Sequence, residues 1–181
     1  MHLPRGKYKE VEGLNDPRNK PRNRKKILLE KKPPSLHLPS KRYRLDLFTR
    51  HPSTAKMIHH INSSEELQSL LNSTTYVAVD FFADWCPPCK AIAPVFETLA
   101  TKHSVPDVLA FAKVNVDHVQ DVARTYGVTA MPTFLFFKEG NQVAVNGQAM
   151  IRGADPRSLG AAAEKLGGLA QKRVEAAKSS L

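Results

Sequence analysis

Cysteine is scarce: the chain of 181 residues has two, Cys86 and Cys89, too few for a disulfide framework or a complete cysteine-rich zinc site. Long apolar runs are also missing. No stretch reaches the roughly 18 apolar residues of a membrane span. The first long apolar run begins only at Tyr76, too far along for a secretory leader. Acidic residues are thin at the start. Residues 1–56 carry 16 Lys/Arg against 5 Asp/Glu, while residues 57–181 carry 11 against 12, so the net charge of +10 belongs to the leader. Tryptophan occurs once, at position 85. These shortages point away from a membrane-spanning protein, a disulfide-stapled secreted domain, a zinc finger and any metal centre.

Residues 1–56 also hold 7 of the 13 prolines and show no periodic apolar spacing. Such a stretch cannot bury enough surface to offset its conformational entropy, and it is expected to be disordered. It contains Lys20-Pro21-Arg22-Asn23-Arg24-Lys25-Lys26 and Lys41-Arg42-Tyr43-Arg44. Runs of this kind serve as nuclear addresses or sit on phosphates, but they are too common to make nucleic acid the expected partner. A mitochondrial presequence is the sharper alternative, opposed by Glu10, Glu12, Asp16 and Glu30 and by the lack of an amphipathic helix. A translation start at Met57, which would remove the leader, is the third reading.

From Met57 the pattern changes. Met57-Ile58-His59-His60-Ile61 alternates as a half-buried strand. Ser63 and Glu66 form a capping box before Leu67, Leu70 and Leu71. Tyr76–Ala83 reads as a central strand, residues 86–99 as a helix kinked by Pro94, and Val108–Val116 as a strand. Val119–Tyr126 reads as a short helix. Two strands, Thr133–Phe137 and Gln142–Ile151, flank Glu139-Gly140-Asn141. Asp155-Pro156 starts a last helix, which Gly167-Gly168 are expected to weaken or end. The Ala/Lys-rich residues 169–181 would then be a frayed extension of a domain spanning 57–168. The order βαβαβαββα predicts an α/β sandwich, a central mixed sheet with helices on both faces.

The two cysteines sit where the buried strand gives way to a helix, in Trp85-Cys86-Pro87-Pro88-Cys89-Lys90. Three apart on a first helical turn, they lie on one face and close enough to bridge. A helix N-terminus favours a thiolate and can lower a cysteine pKa to roughly 3.5–7.5. Cys86, nearer the helix end and the solvent, is expected to be the nucleophile, and Cys89, a turn deeper, the resolving thiol. Trp85 reads as a surface platform beside them.

The run Val79-Asp80-Phe81-Phe82-Ala83-Asp84-Trp85-Cys86-Pro87-Pro88-Cys89-Lys90, with Pro94 and then Ala130-Met131-Pro132-Thr133, resembles thioredoxin over residues 57–166. The resemblance implies the thioredoxin fold and a disulfide reductase that acts on protein clients. A reductase of this kind is expected to hold no bound cofactor and to draw electrons from NADPH through thioredoxin reductase. The resemblance also implies a cis peptide before Pro132, with Met131 and Pro132 docking the substrate chain, and Gly153 as a glycine that lets substrate come close. Asp80 matches the family carboxylate that helps deprotonate the deeper cysteine, and Lys113 the lysine near it. A carboxylate in so apolar a run is costly to ionise, so its pKa is expected to rise toward the range of a general base.

Three features depart from the family pattern. Pro87 replaces the usual glycine, deleting an N–H near the Cys86 sulfur and stiffening the loop, as in the C-P-P-C sites of tryparedoxin-type and some plant thioredoxins. Phe82 stands where many members carry Trp, and residues 140–153 exceed the usual hairpin. Two other functions fit the residues: a disulfide isomerase or oxidase of the same fold, and a binding module whose dithiol is incidental. A cytoplasmic monomer is expected, with mitochondria as the alternative address.

Overall fold

The computed structural model describes Lys9–Glu10 and residues 58–179. The basic runs and Met57 lie outside the described residues. Tyr76–Phe82 (β3) is the axis of the sheet, with neighbours on both sides: Leu109–Asn115 (β4) in parallel and Thr133–Lys138 (β5) antiparallel. His59–Ile61 (β2) runs parallel to β4. Beyond β5 come Asn141–Ala144 (β6) and, on the outer side of β6, Lys9–Glu10 (β1). Met150–Arg152 (β7) pairs with the first half of β5.

Among the described residues four helices cover the sheet: Ser64–Ser73 (α1), Pro87–His103 (α2), Gln120–Thr125 (α3) and Pro156–Lys178 (α4). Successive strand residues point to opposite faces, so β3 divides its side chains between two cores. Tyr76 and Ala78 pack with Ile92 and Phe96 of α2 and Leu159 and Leu166 of α4. Val77, Val79 and Phe81 pack with Leu67 and Leu71 of α1 and Val122 of α3. Each face therefore has its own apolar layer, as the near-continuous hydrophobicity of β3 requires. Ser63 caps α1 by accepting the Glu66 N–H at 3.2 Å, while the Glu66 carboxylate reaches back to the Asn62 N–H at 2.8 Å, one residue earlier than a capping box would have it.

Three sequence expectations need correction. The stretch 142–151 is not one strand. It breaks at a two-residue turn in which the Val145 N–H and the Gln148 N–H each bond the other residue's carbonyl, with Asn146 and Gly147 at φ of 53° and 75°. That is the Asn-Gly signature of a tight hairpin. Next, Gly167-Gly168 do not end α4, which continues to Lys178, so a boundary at 168 falls inside it. Gly167 is instead a point of close approach: a Cβ there would come within 2.5 Å of His103 Nδ1 on α2. Finally, the expected disorder of the leader does not hold at Lys9–Glu10, which form β1 by pairing in parallel with β6.

Candidate active site

The buried end of β3 leads directly into α2, and the two cysteines occupy that junction as a disulfide with Cα atoms 5.3 Å apart. Cys86 is the N-cap of α2. Pro87 and Pro88 fill the first helical positions, so two of the amides that normally project from a helix start do not exist. The first two real donors both serve Cys86: the Cys89 N–H bonds its sulfur at 3.3 Å and the Lys90 N–H its carbonyl at 3.3 Å. One backbone N–H thus remains to stabilise negative charge on Cys86 Sγ. The expected difference in exposure between the cysteines is absent. Cys86 is 3 % exposed and Cys89 4 %, because Ala83, Phe82, Val116 and Met131 close over both. What distinguishes them is position: Cys86 faces the donor at the helix end, and Cys89 is the donor's own residue.

Across from the disulfide, the Met131–Pro132 peptide is cis. Met131 is half-buried against the cysteine cluster and Pro132 is buried. Gly153, at φ of 83°, donates its N–H to the Pro132 carbonyl at 2.8 Å, so the glycine does belong to this side of the site. A groove of about 260 Å³ opens beside Met131, lined by Val116, Gln120, Ala123, Arg124, Val128 and Thr129. A second cavity of about 280 Å³, bordered by Leu71, Thr74, Glu139 and Arg173, lies at the opposite end of β3 and contains none of the expected site residues.

Trp85 is 65 % exposed, as a platform should be, but it does not swing freely. Its indole Nε1–H donates to Asp117 Oδ2 at 2.9 Å. Behind this contact stands Asn115, 7 % exposed. Its amide donates to Asp84 Oδ2 at 2.9 Å, and its Oδ1 accepts the Asp117 N–H at 2.9 Å. The last residue of β4 and the loop after it therefore tie down the two residues that precede Cys86. Asp84, Asn115 and Asp117 were missed from sequence. The available signal was an Asn-x-Asp at the end of the strand that runs parallel to the one carrying the dithiol.

Asp80 is 1 % exposed and has the same strand parity as Tyr76 and Ala78, so it faces the layer from which α2 starts. Its Oδ1 has no hydrogen-bond partner among the described residues. Burial pushes its pKa up to about 7, and the Lys113 ammonium, opposite it in register on β4, holds the rise back in part. Lys113 Nζ also lies 4.9 Å over the Phe82 ring and 4.0 Å from Glu97 Oε1, so its charge is shared among several groups. Among the described residues no group of three or more His, Cys, Asp or Glu could hold a metal ion.

The family model described as thioredoxin matches residues 58–157. This chain belongs to the thioredoxin family. A thioredoxin-like protein of Fusarium culmorum is 83% identical over 121 residues, which are 67% of this chain and 100% of that protein. A thioredoxin of Neurospora crassa is 62% identical over 123 residues, covering 68% of this chain and 97% of the relative. The solved structure of Malassezia sympodialis thioredoxin is 37% identical with a TM-score of 0.53, covering 61% of this chain and 90% of that one. Family, fold and bridged cysteine pair together make the chain a protein-disulfide reductase that works by dithiol–disulfide exchange through Cys86 and Cys89. Thioredoxins act on disulfide-containing clients and hold no bound cofactor.

Proposed function

We propose that the reduced Cys86 thiolate attacks one sulfur of a client disulfide, releasing the other client sulfur as a thiolate. The resulting mixed disulfide lies against Met131, Pro132, Gly153 and the Trp85 platform. Cys89 loses its proton to Asp80 and attacks Cys86 Sγ, expelling the second client sulfur. The client gains two electrons, and the Cys86–Cys89 disulfide is left. Lys113 moderates the basicity of Asp80, while Pro87 and Pro88 limit the donors around the Cys86 sulfur. The domain from residue 57 onward carries the chemistry in this reading, with α4 part of it through Lys178. NADPH recharges the disulfide through a thioredoxin reductase, and the setting is the cytoplasm, since the acids of the leader oppose import.

The observation that carries the assignment is the capping geometry: the helix donor serves Cys86 and no other sulfur. Cys86→Ser should abolish NADPH-dependent reduction of insulin in the presence of thioredoxin reductase. Cys89→Ser should accumulate client mixed disulfides on a non-reducing gel. If Cys89→Ser turned over like wild type, the two-cysteine route would be wrong. Fractionation of cells that express the full chain tests the compartment, and recovery in mitochondria would overturn the cytoplasmic reading.

A further inference from the structure

Once β5 has taken one side of β6, the other side is a sheet edge, and an open edge templates pairing with any extended chain. Here Lys9–Glu10 run along it in parallel, Lys9 beside Val143 and Glu10 beside Ala144. So short a ladder does not hold by itself. Its few net hydrogen bonds do not offset the conformational entropy of ordering the segment. The remainder comes from a seat for the Glu10 carboxylate.

One wall of that seat is the turn that splits 142–151. With Asn146 and Gly147 both in the left-handed region, the turn aims the Gly147 N–H outward, 3.3 Å from each Glu10 carboxylate oxygen. The other wall is α4, whose Lys165 Nζ stands 3.1 Å from Glu10 Oε1. The two side chains are 32% and 28% exposed, so the ion pair is better shielded than an ordinary surface contact. None of these residues belongs to the dithiol site.

We infer that the outer edge of β6, with the Gly147 N–H and the Lys165 ammonium at its end, is a strand-addition site for an extended segment bearing a carboxylate. Its occupant is the chain's own Lys9–Glu10 segment. On this account Glu10 is the residue that fastens the Lys9–Glu10 segment to the redox domain.

Amide hydrogen exchange on the full-length, oxidised chain tests this, comparing wild type with Glu10→Ala, Lys165→Glu and the double exchange Glu10→Lys with Lys165→Glu. Exchange at Ala144 and Gly147 should accelerate at least tenfold in both single variants. The double exchange should recover part of the protection. The amides of β3 and insulin turnover should not change. Equal protection in wild type and Glu10→Ala would overturn the proposal, because the edge would not then depend on the carboxylate. Wild-type protection that rises with protein concentration, with dimers in sedimentation, would overturn it too, since a second copy would be the occupant.

Discussion

Asp80 makes the fold pH-dependent in a direction opposite to most carboxylates. In the unfolded chain its pKa is near 3.8, and in the fold burial lifts it to about 7. Below pH 3.8 the group is protonated in both states and has no effect. Between the two values the unfolded state releases the proton that the folded state keeps, so stability falls as pH rises, by about 1.4 kcal/mol per unit. Above pH 7 the loss is complete, at about 4 kcal/mol. Asp80→Asn should flatten this slope, and urea denaturation at pH 4, 5.5 and 7 should show the variant gaining on wild type at each step. A constant difference would mean that residue 80 does not titrate across this range in the fold. A second prediction concerns Asn115. Asn115→Leu removes the donor to Asp84 and the acceptor for Asp117, at a cost of about 1–3 kcal/mol. Because Trp85 is the single tryptophan, its fluorescence reports the tether alone. Lower anisotropy and stronger acrylamide quenching are expected, with a raised KM for insulin at little-changed kcat. Unchanged Trp85 mobility would show that Asp117 is held without Asn115. Asp80 was legible in the sequence because a lone acid in an apolar run has no innocent explanation. Asn115 was not, since its partner lies 31 residues away and only strand pairing brings them together.

At the scale of elements, adjacent glycines in one helix behave as opposites. The sequence reads Gly167-Gly168 as a place to stop, since helical glycine costs about 1 kcal/mol against alanine. Yet α4 passes through both, and Ala170 beyond them is fully buried. At 167 the missing Cβ admits the His103 ring, which would otherwise sit within 2.5 Å of it, while a Cβ at 168 meets nothing within 4 Å. Gly167→Ala should therefore destabilise the domain by about 1–3 kcal/mol through overpacking. Gly168→Ala should stabilise it by up to about 1 kcal/mol. Urea midpoints of the two variants check this, and two changes of the same sign would refute the contact with α2. Helix caps and the parity of β3 were visible beforehand because they depend on residues close in sequence. The course of α4 depends on what α2 presents to it, which no local pattern records. The break between β6 and β7 was available in Asn146-Gly147 and was hidden by the β-prone residues on either side.

At the scale of the molecule, the domain is one redox couple whose two states differ in stability, and two effects compete to set the sign. Closing a loop of four residues constrains the unfolded chain and favours the oxidised fold by about 2 kcal/mol. Against this, a thiolate at the start of α2 favours the reduced fold, to a degree set by the donors that face it. Pro87 and Pro88 have removed two of those donors and left the Cys89 N–H. Closure should win. The oxidised chain is expected to melt above the reduced chain at pH 7, by up to about 6–10 °C. By the same cycle, folding should make the couple more reducing than the unfolded dithiol, by up to about 40 mV. Pro87→Gly restores an N–H near Cys86 Sγ, so it should narrow the melting gap by steadying the reduced state. Calorimetry on both redox states of wild type and Pro87→Gly measures each quantity directly. If the reduced wild-type chain melts at or above the oxidised one, the thiolate is held by more than a single backbone amide, and Pro87 and Pro88 do not limit its stabilisation.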